Sequence, residues 1–318
     1  MDDFKQNILE EEFSDILGQQ DVKDQLKSAL LMDRHVILVG APGVGKTTLA
    51  KSLVHALPEV NMDEGLMHGV KETGKVKAFK GSERFIRVQG SPDLTAEDLL
   101  GDIDPVKAMK HGALSLEAFS PGKIFKANQG ILFFDEVNRC SEKLQNALLQ
   151  VLEEGTITIG SYTIDFPASF IFIGTMNPED SSTEPLSDVF LDRFDLIYVD
   201  YPESQDIEMS IVTGKGTKMI EFPEKLLHNT VRFIRELRES HDLEKKPSVR
   251  ATLGLYERAQ SHAVVMNKTI VEPSDIKAVL VSVLSHRIRL KPSLKYIKKP
   301  EDFIRQKFDE FQDSGGYL

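Results

Sequence analysis

The run Gly40-Ala41-Pro42-Gly43-Val44-Gly45-Lys46-Thr47 constrains this chain more than any other feature. It follows at once on an apolar tetrad, Val36-Ile37-Leu38-Val39, and leads into a helical pattern from Thr47 towards Ala56. Its fixed positions match a template whose glycines let successive backbone N–H groups converge on phosphates. The helix that follows presents its positive end to the same place. Lys46 is then expected to reach the β- and γ-phosphates of a nucleotide and the Thr47 hydroxyl to bind Mg²⁺, with Thr48 joining the contacts. A plain glycine-rich turn is the bland alternative, and the strand-loop-helix context argues against it.

A second apolar strand, Ile131-Leu132-Phe133-Phe134, ends in Asp135-Glu136, and open α/β sheets hold ligands beyond the carboxyl ends of their strands. Asp135 is expected to hold Mg²⁺ through its water shell, and Glu136 to orient and polarise the water that attacks the γ-phosphate. Asn177 follows the strand 169–174 and could hydrogen-bond both the γ-phosphate and that water, although Asn177-Pro178 also reads as a simple turn. Arg193 is either a surface arginine paired with Asp192 or Asp195, or an arginine finger reaching a neighbouring subunit's nucleotide. Arg250, opening a later helix, has the same two readings. Asn267-Lys268-Thr269-Ile270 lacks the aspartate of a guanine-reading pattern, so ATP is the expected nucleotide.

These motifs sit in an alternation of apolar strands and helical patterns, the mark of an α/β domain with a mainly parallel sheet and helices on both faces. Besides the strands already named, Phe85-Ile86-Arg87-Val88 and Leu196-Ile197-Tyr198-Val199 read as strands. Long polar stretches at 58–84 and 91–125 interrupt the rhythm as inserts, the second with a helix starting at Thr95 and a strand-like alternation from Leu114 to Phe119. Residues 1–202 are expected to form the nucleotide-binding domain. Residues 203–318 read as a smaller all-helical domain, with helices over Leu226 to Leu237, Leu253 to Val265 and Ile276 to Leu284 and no convincing strand. A last helix over Pro300 to Gln312 is followed by an end expected to fray at Gly315-Gly316.

No apolar run reaches the roughly 20 residues of a bilayer span. The acidic start, Met1-Asp2-Asp3-Phe4, is not the chemistry of a secretory signal. The single cysteine, Cys140, allows neither an internal disulfide nor a zinc cage, which points to a reducing cytoplasmic setting. The net charge of −11 argues against non-specific nucleic-acid binding. Even so, basic stretches at Lys71 to Arg87 and Arg287 to Lys299 read either as solvated faces or as docking surfaces.

The order of these motifs resembles the AAA+ ATPases, and within them the MoxR and magnesium-chelatase-like branch. The residues that carry the resemblance are Asp135-Glu136-Val137-Asn138-Arg139, Gly174-Thr175-Met176-Asn177-Pro178, Leu191-Asp192-Arg193-Phe194, Ser248-Val249-Arg250-Ala251-Thr252 and His286-Arg287-Ile288. The resemblance implies a P-loop NTPase fold with a helical lid and a homo-hexameric ring holding ATP at its interfaces. It makes Asn177 a sensor, Arg193 a finger acting between subunits and Arg250 a lid sensor, with Arg139 a competing interface arginine. Ile16-Leu17-Gly18-Gln19 looks like the segment near the adenine, and Gly155 to Phe166 like a β-hairpin of this branch. Such relatives remodel or activate a partner protein, usually one with a von Willebrand factor A domain. The ATPase subunit of a metal chelatase is the alternative, and a nucleic-acid motor a third.

Overall fold

The computed structural model describes residues 2–67, 72–112, 115–154, 157–159, 162–164, 169–178 and 186–318. The chain divides into two compact units: one of Met1–Ile16, Gln20–Gly40 and Gly45–Val199, the other of Leu17–Gln19, Ala41–Val44 and Asp200–Leu318.

The first unit is built on five parallel strands, β1 (Val36–Val39), β2 (Phe85–Gln89), β3 (Gly130–Asp135), β4 (Phe170–Met176) and β5 (Asp195–Tyr198). They stand in the order β5-β1-β4-β3-β2. Every residue of β1 and β3 is buried, which is why both read as unbroken apolar runs: a central parallel strand is covered on both faces. The edge strand β2 alternates instead, with Val88 buried between exposed Arg87 and Gln89. Aromatic side chains fill the space beside β3 and β4, with Phe134 stacked on Phe172 at 5.7 Å and Phe172 against Phe194 at 5.0 Å between ring centroids. At the carboxyl ends, Gly40 N–H donates to the Met176 carbonyl at 3.1 Å. That bond ties the start of the glycine loop to the strand that leads into Asn177. Gly90, just past β2, allows another close approach: a Cβ there would lie 2.0 Å from the Glu136 carbonyl oxygen.

The inserts have more structure than their sequence shows. Within 58–84, Val60–Asp63 pairs antiparallel with Val76–Phe79, and the helix Gly81–Arg84 follows. Exposure of most of Val76–Phe79 hides its period. Thr95 caps the helix Ala96–Leu100, accepting from the Asp98 N–H, so the expected start is found. The strand-like alternation from Leu114 is corrected: Leu116–Ala118 is a 3-10 turn, and only Phe119–Pro121 is extended, paired with Gly101–Ile103. Leu114 lies outside the described residues. The hairpin expected over Gly155 to Phe166 is present as Ile157–Ile159 paired with Tyr162–Ile164, while Gly155 and Phe166 lie outside the described residues.

The second unit packs the helices Gln205–Lys215, Glu224–Glu239, Val249–Val265, Pro273–Leu284 and Pro300–Asp313. Its core includes Phe233, Ile234, Leu255, Leu280 and Phe308, all at most 2% exposed. Two expectations are corrected here. Leu243–Lys245 and Arg289–Leu290 form a short antiparallel pair, too brief and too charged to register as strands. The end of the chain is docked rather than frayed: Leu318 is buried, Tyr317 O accepts from Asn229 Nδ2 at 2.9 Å and Gly316 N–H donates to Phe311 O. Gly316 permits this because a Cβ would lie 2.2 Å from the Phe311 ring. Among the described residues, no helix is long and apolar enough to cross a membrane.

Candidate nucleotide site

Backbone geometry prepares the glycine loop. Gly43 and Gly45 have φ of 80° and 105°, a region that L side chains avoid. No hydrogen bond among the described residues satisfies the N–H groups of Gly43, Val44 or Gly45. Buried or converging N–H groups without partners are rare in native structures, and phosphate oxygens are the acceptors this loop geometry fits. Lys46 opens the helix Lys46–Ser52, and its Nζ donates to the Gly40 carbonyl at 2.7 Å.

The first unit brings Lys46, Thr47, Asp135, Glu136 and Asn177 to the same end of the sheet. Thr47 Oγ1 donates to Asp135 Oδ1 at 3.3 Å across 88 residues of sequence. Asp135 is buried, and Oδ1 also accepts from Thr175 Oγ1 at 2.6 Å. Glu136 follows at φ 58°, ψ 52°, and its N–H donates to the same Thr175 oxygen at 2.9 Å. This left-handed step swings the Glu136 side chain out of the strand's alternation, so consecutive acids need not point to opposite faces. Asn177 starts immediately after β4, and its carbonyl accepts from Asn138 Nδ2 at 3.2 Å.

Three partners of the acids lie beyond the candidates named from the sequence. Arg87 Nη2 donates to Asp135 Oδ2 at 2.7 Å, and Gln89 Nε2 donates to Glu136 Oε2 at 2.8 Å. Thr175 is the third. Only register brings the two strand residues in: residues two apart on a strand share a face, and Gln89 stands opposite Asp135. Arg139, the competing interface arginine, contacts Glu136 Oε2 at 3.2 Å. Of the basic stretch from Lys71 to Arg87, Lys71 lies outside the described residues, and two arginines of the remainder serve the fold and the acids rather than a solvated or docking face. Arg84 is buried, donating to the carbonyls of Gln129 and Pro58, and Arg87 serves Asp135.

Arg193 is not brought to these acids. It donates to Glu153 and Asp192, and the hydrogen bond to Glu153 raises the guanidinium's pKa further. Cys140 is buried, and burial pushes its thiol up to about 11, which leaves it inert at neutral pH.

The second unit holds the remaining candidates. Gly18 and Gln19 have φ of 68° and 55°. Gln19 Nε2 donates to the carbonyls of Val44 and Asp200, at 3.1 and 3.0 Å. Its Oε1 is buried and has no hydrogen-bond partner among the described residues. Arg250 stands in the first turn of Val249–Val265 and is exposed. A Cβ on Gly43 would lie 3.1 Å from Arg250 Cγ and 2.9 Å from Ser248 Oγ, so Ala41–Val44 and this helix start are in close contact within the unit.

A magnesium ion fits this donor set. It prefers hard oxygens, keeps several waters and is usually bound through one or two protein groups plus substrate phosphates. The Thr47 hydroxyl and Asp135 carboxylate supply those groups. Among the described residues there is no cluster of three or more His, Cys, Asp or Glu that could cage a metal without phosphate.

The chain resembles known proteins over most of its length. The family model described as magnesium chelatase, subunit ChlI, matches residues 12–189, and the AAA lid domain model matches 235–306. YeaC of Bacillus subtilis, an uncharacterized protein, is 26% identical over 88% of this chain and 85% of its own. The magnesium-chelatase subunit ChlI homolog of Methanocaldococcus jannaschii is 28% identical, covering 88% and 86%. Chaperone MoxR1 of Mycobacterium tuberculosis is 26% identical, covering 86% and 73%. Among solved structures, the complex of magnesium chelatase subunits BchI and BchD, based on a cryo-EM reconstruction, aligns at TM-score 0.50, with 23% identity over 89% of this chain and 98% of that one. A Thermotoga maritima RuvB mutant aligns at 0.52, with 18% identity over 86% and 73%. These two show the shared fold. With the ChlI model covering more than half of the 318 residues, a lid model on the second unit and the sheet order found here, the chain belongs to the MoxR and magnesium-chelatase-like branch of the AAA+ ATPases.

Proposed function

We propose that this chain binds ATP with Mg²⁺, hydrolyses it as one subunit of a homo-oligomeric ring, and uses the cycle to remodel or activate a partner protein. The observation that carries the reading is the Thr47–Asp135 hydrogen bond at 3.3 Å, within the first unit. It supports the reading by bringing together two groups far apart in sequence that would serve the phosphates and the metal. Magnesium, when bound, neutralises charge on the phosphate oxygens. Lys46 would swing from the Gly40 carbonyl onto the β- and γ-phosphates, while Thr47 and Asp135 orient the metal's water shell. Glu136 would hold the attacking water, with Asn177 on the neighbouring strand fixing it against the γ-phosphate. Adenine is the base proposed, since Asn267-Lys268-Thr269-Ile270 lacks the aspartate of a guanine-reading pattern.

Gly18 and Gln19 would bound the base, and Ala41–Val44 the phosphates. Arg193 would act on a neighbour's nucleotide and Arg250 as a lid sensor. The client would be reached through a partner with a von Willebrand factor A domain, the mode expected for this branch.

The test is Mg²⁺-dependent ATP hydrolysis measured against protein concentration, for the natural chain and for Arg193→Ala. Specific activity that rises with concentration and is lost in Arg193→Ala, with ATP binding intact, supports a finger acting between subunits. Flat specific activity and an unaffected variant leave Arg193 a surface residue and refute the ring mechanism.

A further inference from the structure

The acid expected to serve the metal already carries a cation of its own. Asp135 Oδ1 accepts from Thr175 at 2.6 Å and Thr47 at 3.3 Å, which uses both of its lone pairs. What remains for a metal's water shell is Oδ2, and that oxygen holds Arg87 Nη2 at 2.7 Å.

We propose that Arg87 is an internal stand-in for the metal: it neutralises Asp135 in the metal-free protein and is displaced when Mg²⁺ and nucleotide arrive. The inference rests on the reading of Asp135 as the metal-serving carboxylate. A carboxylate whose side chain is only 10% exposed is costly to leave without a counter-charge, and the guanidinium supplies one. A guanidinium and a divalent ion sharing one carboxylate oxygen repel, so each disfavours the other.

Arg87 also has somewhere to go. Its side chain is 47% exposed, and Nη2 already touches Gln89 Oε1 at 3.1 Å. Gln89 in turn holds Glu136. Displacement of Arg87 by the metal is thereby passed, through one side chain, to the acid that would orient water. Arg87 is a positioning residue, since it would touch neither nucleotide nor reacting water.

The experiment follows Mn²⁺ binding to the full chain with ADP, by the electron paramagnetic resonance signal of the free ion, alongside thermal unfolding in EDTA. Arg87→Ala is expected to bind Mn²⁺ about fivefold more tightly, the scale of a half-exposed ion pair, and yet to unfold at lower temperature in EDTA. These opposite signs are what a merely structural role would not produce. Arg87→Lys, which keeps the charge, is expected to stay near the natural chain in affinity. In an Asp135→Asn background, Arg87→Ala should change neither readout. Unchanged or weaker Mn²⁺ affinity in Arg87→Ala overturns the proposal. So does equal tightening in Arg139→Ala, which removes a nearby cation that touches Glu136 instead. If the natural chain binds no Mn²⁺ with ADP at all, the metal and nucleotide reading itself has failed, a result distinguishable from either.

Discussion

Arg193 Nε donates to Glu153 Oε1 at 2.7 Å, so the arginine expected to act on a neighbouring subunit is held by a carboxylate of its own chain. Asp192 Oδ2 takes a second bond from Nη1 at 3.0 Å. Both carboxylates would compete with a phosphate for the guanidinium. Glu153→Ala is therefore expected to raise hydrolysis a few-fold at protein concentrations where assembly is complete, since an exposed pair of this kind is weak. Arg193→Ala should lower it by at least about 10³ if the finger behaves as in GTPases. Steady-state rates on the two variants check both directions.

Lys46 and Glu136 should separate binding from chemistry. Lys46→Ala is expected to lose nucleotide affinity itself, measured by titration with a fluorescent ATP analogue. Glu136→Gln keeps the shape of the side chain and should bind ATP normally while hydrolysis falls by about 10² or more, the usual size of a general-base contribution. A binding defect in Glu136→Gln would place that residue in the nucleotide pocket instead.

The second unit contains a buried ion pair whose removal should be costly. Glu208 is fully buried and accepts from Arg238 Nη1 and Nη2 at 2.6 Å each, and from Thr252 Oγ1 at 2.6 Å. Arg238→Met leaves the carboxylate only the Thr252 hydroxyl and the more distant Arg235 Nη1, at 3.5 Å, and is expected to destabilise the unit by about 3 kcal/mol, the low end for breaking a buried pair. Denaturant unfolding reads this directly, and Glu208→Gln in the same chain should recover much of the loss.

Acid should weaken the first unit through His35. Burial pushes this imidazole down from 6.5 to about 4, and Nδ1 accepts from the Phe172 N–H at 3.1 Å. The unfolded chain takes up a proton below pH 6.5 while the folded one resists until about 4. Stability is therefore fully present above pH 6.5 and falls as pH drops towards 4, by no more than about 3 kcal/mol. His35→Phe should flatten that part of the pH profile, as followed by thermal unfolding.

What the sequence made legible was whatever local pattern dictates. The buried strands β1, β3 and β4 announced themselves because central parallel strands are apolar throughout. The glycine loop was visible because its backbone demands glycine at fixed places. Arg87 and Gln89 were not, because each looks like an ordinary polar residue on a half-exposed edge strand, and only sheet register sets them beside Asp135 and Glu136. The hairpin Val60–Asp63 with Val76–Phe79 was hidden by exposed faces without clean alternation. The docked tail was misread because two adjacent glycines suggest freedom, whereas Gly316 is there to let the chain pass the Phe311 ring.

Glu136 occupies the left-handed backbone region at φ 58°, ψ 52°, where a side chain of this kind costs roughly 1–2 kcal/mol over glycine. A chain selected for folding alone would place glycine or asparagine at that step. Glu136→Gly relieves that strain while deleting the carboxylate and its contacts with Gln89 and Arg139, so its melting temperature is expected to stay close to that of the natural chain. In the proposed mechanism, position 136 is where durability is surrendered to chemistry. Across natural variants, relaxation of that constraint would be an early sign of a copy that has stopped hydrolysing nucleotide while remaining well folded.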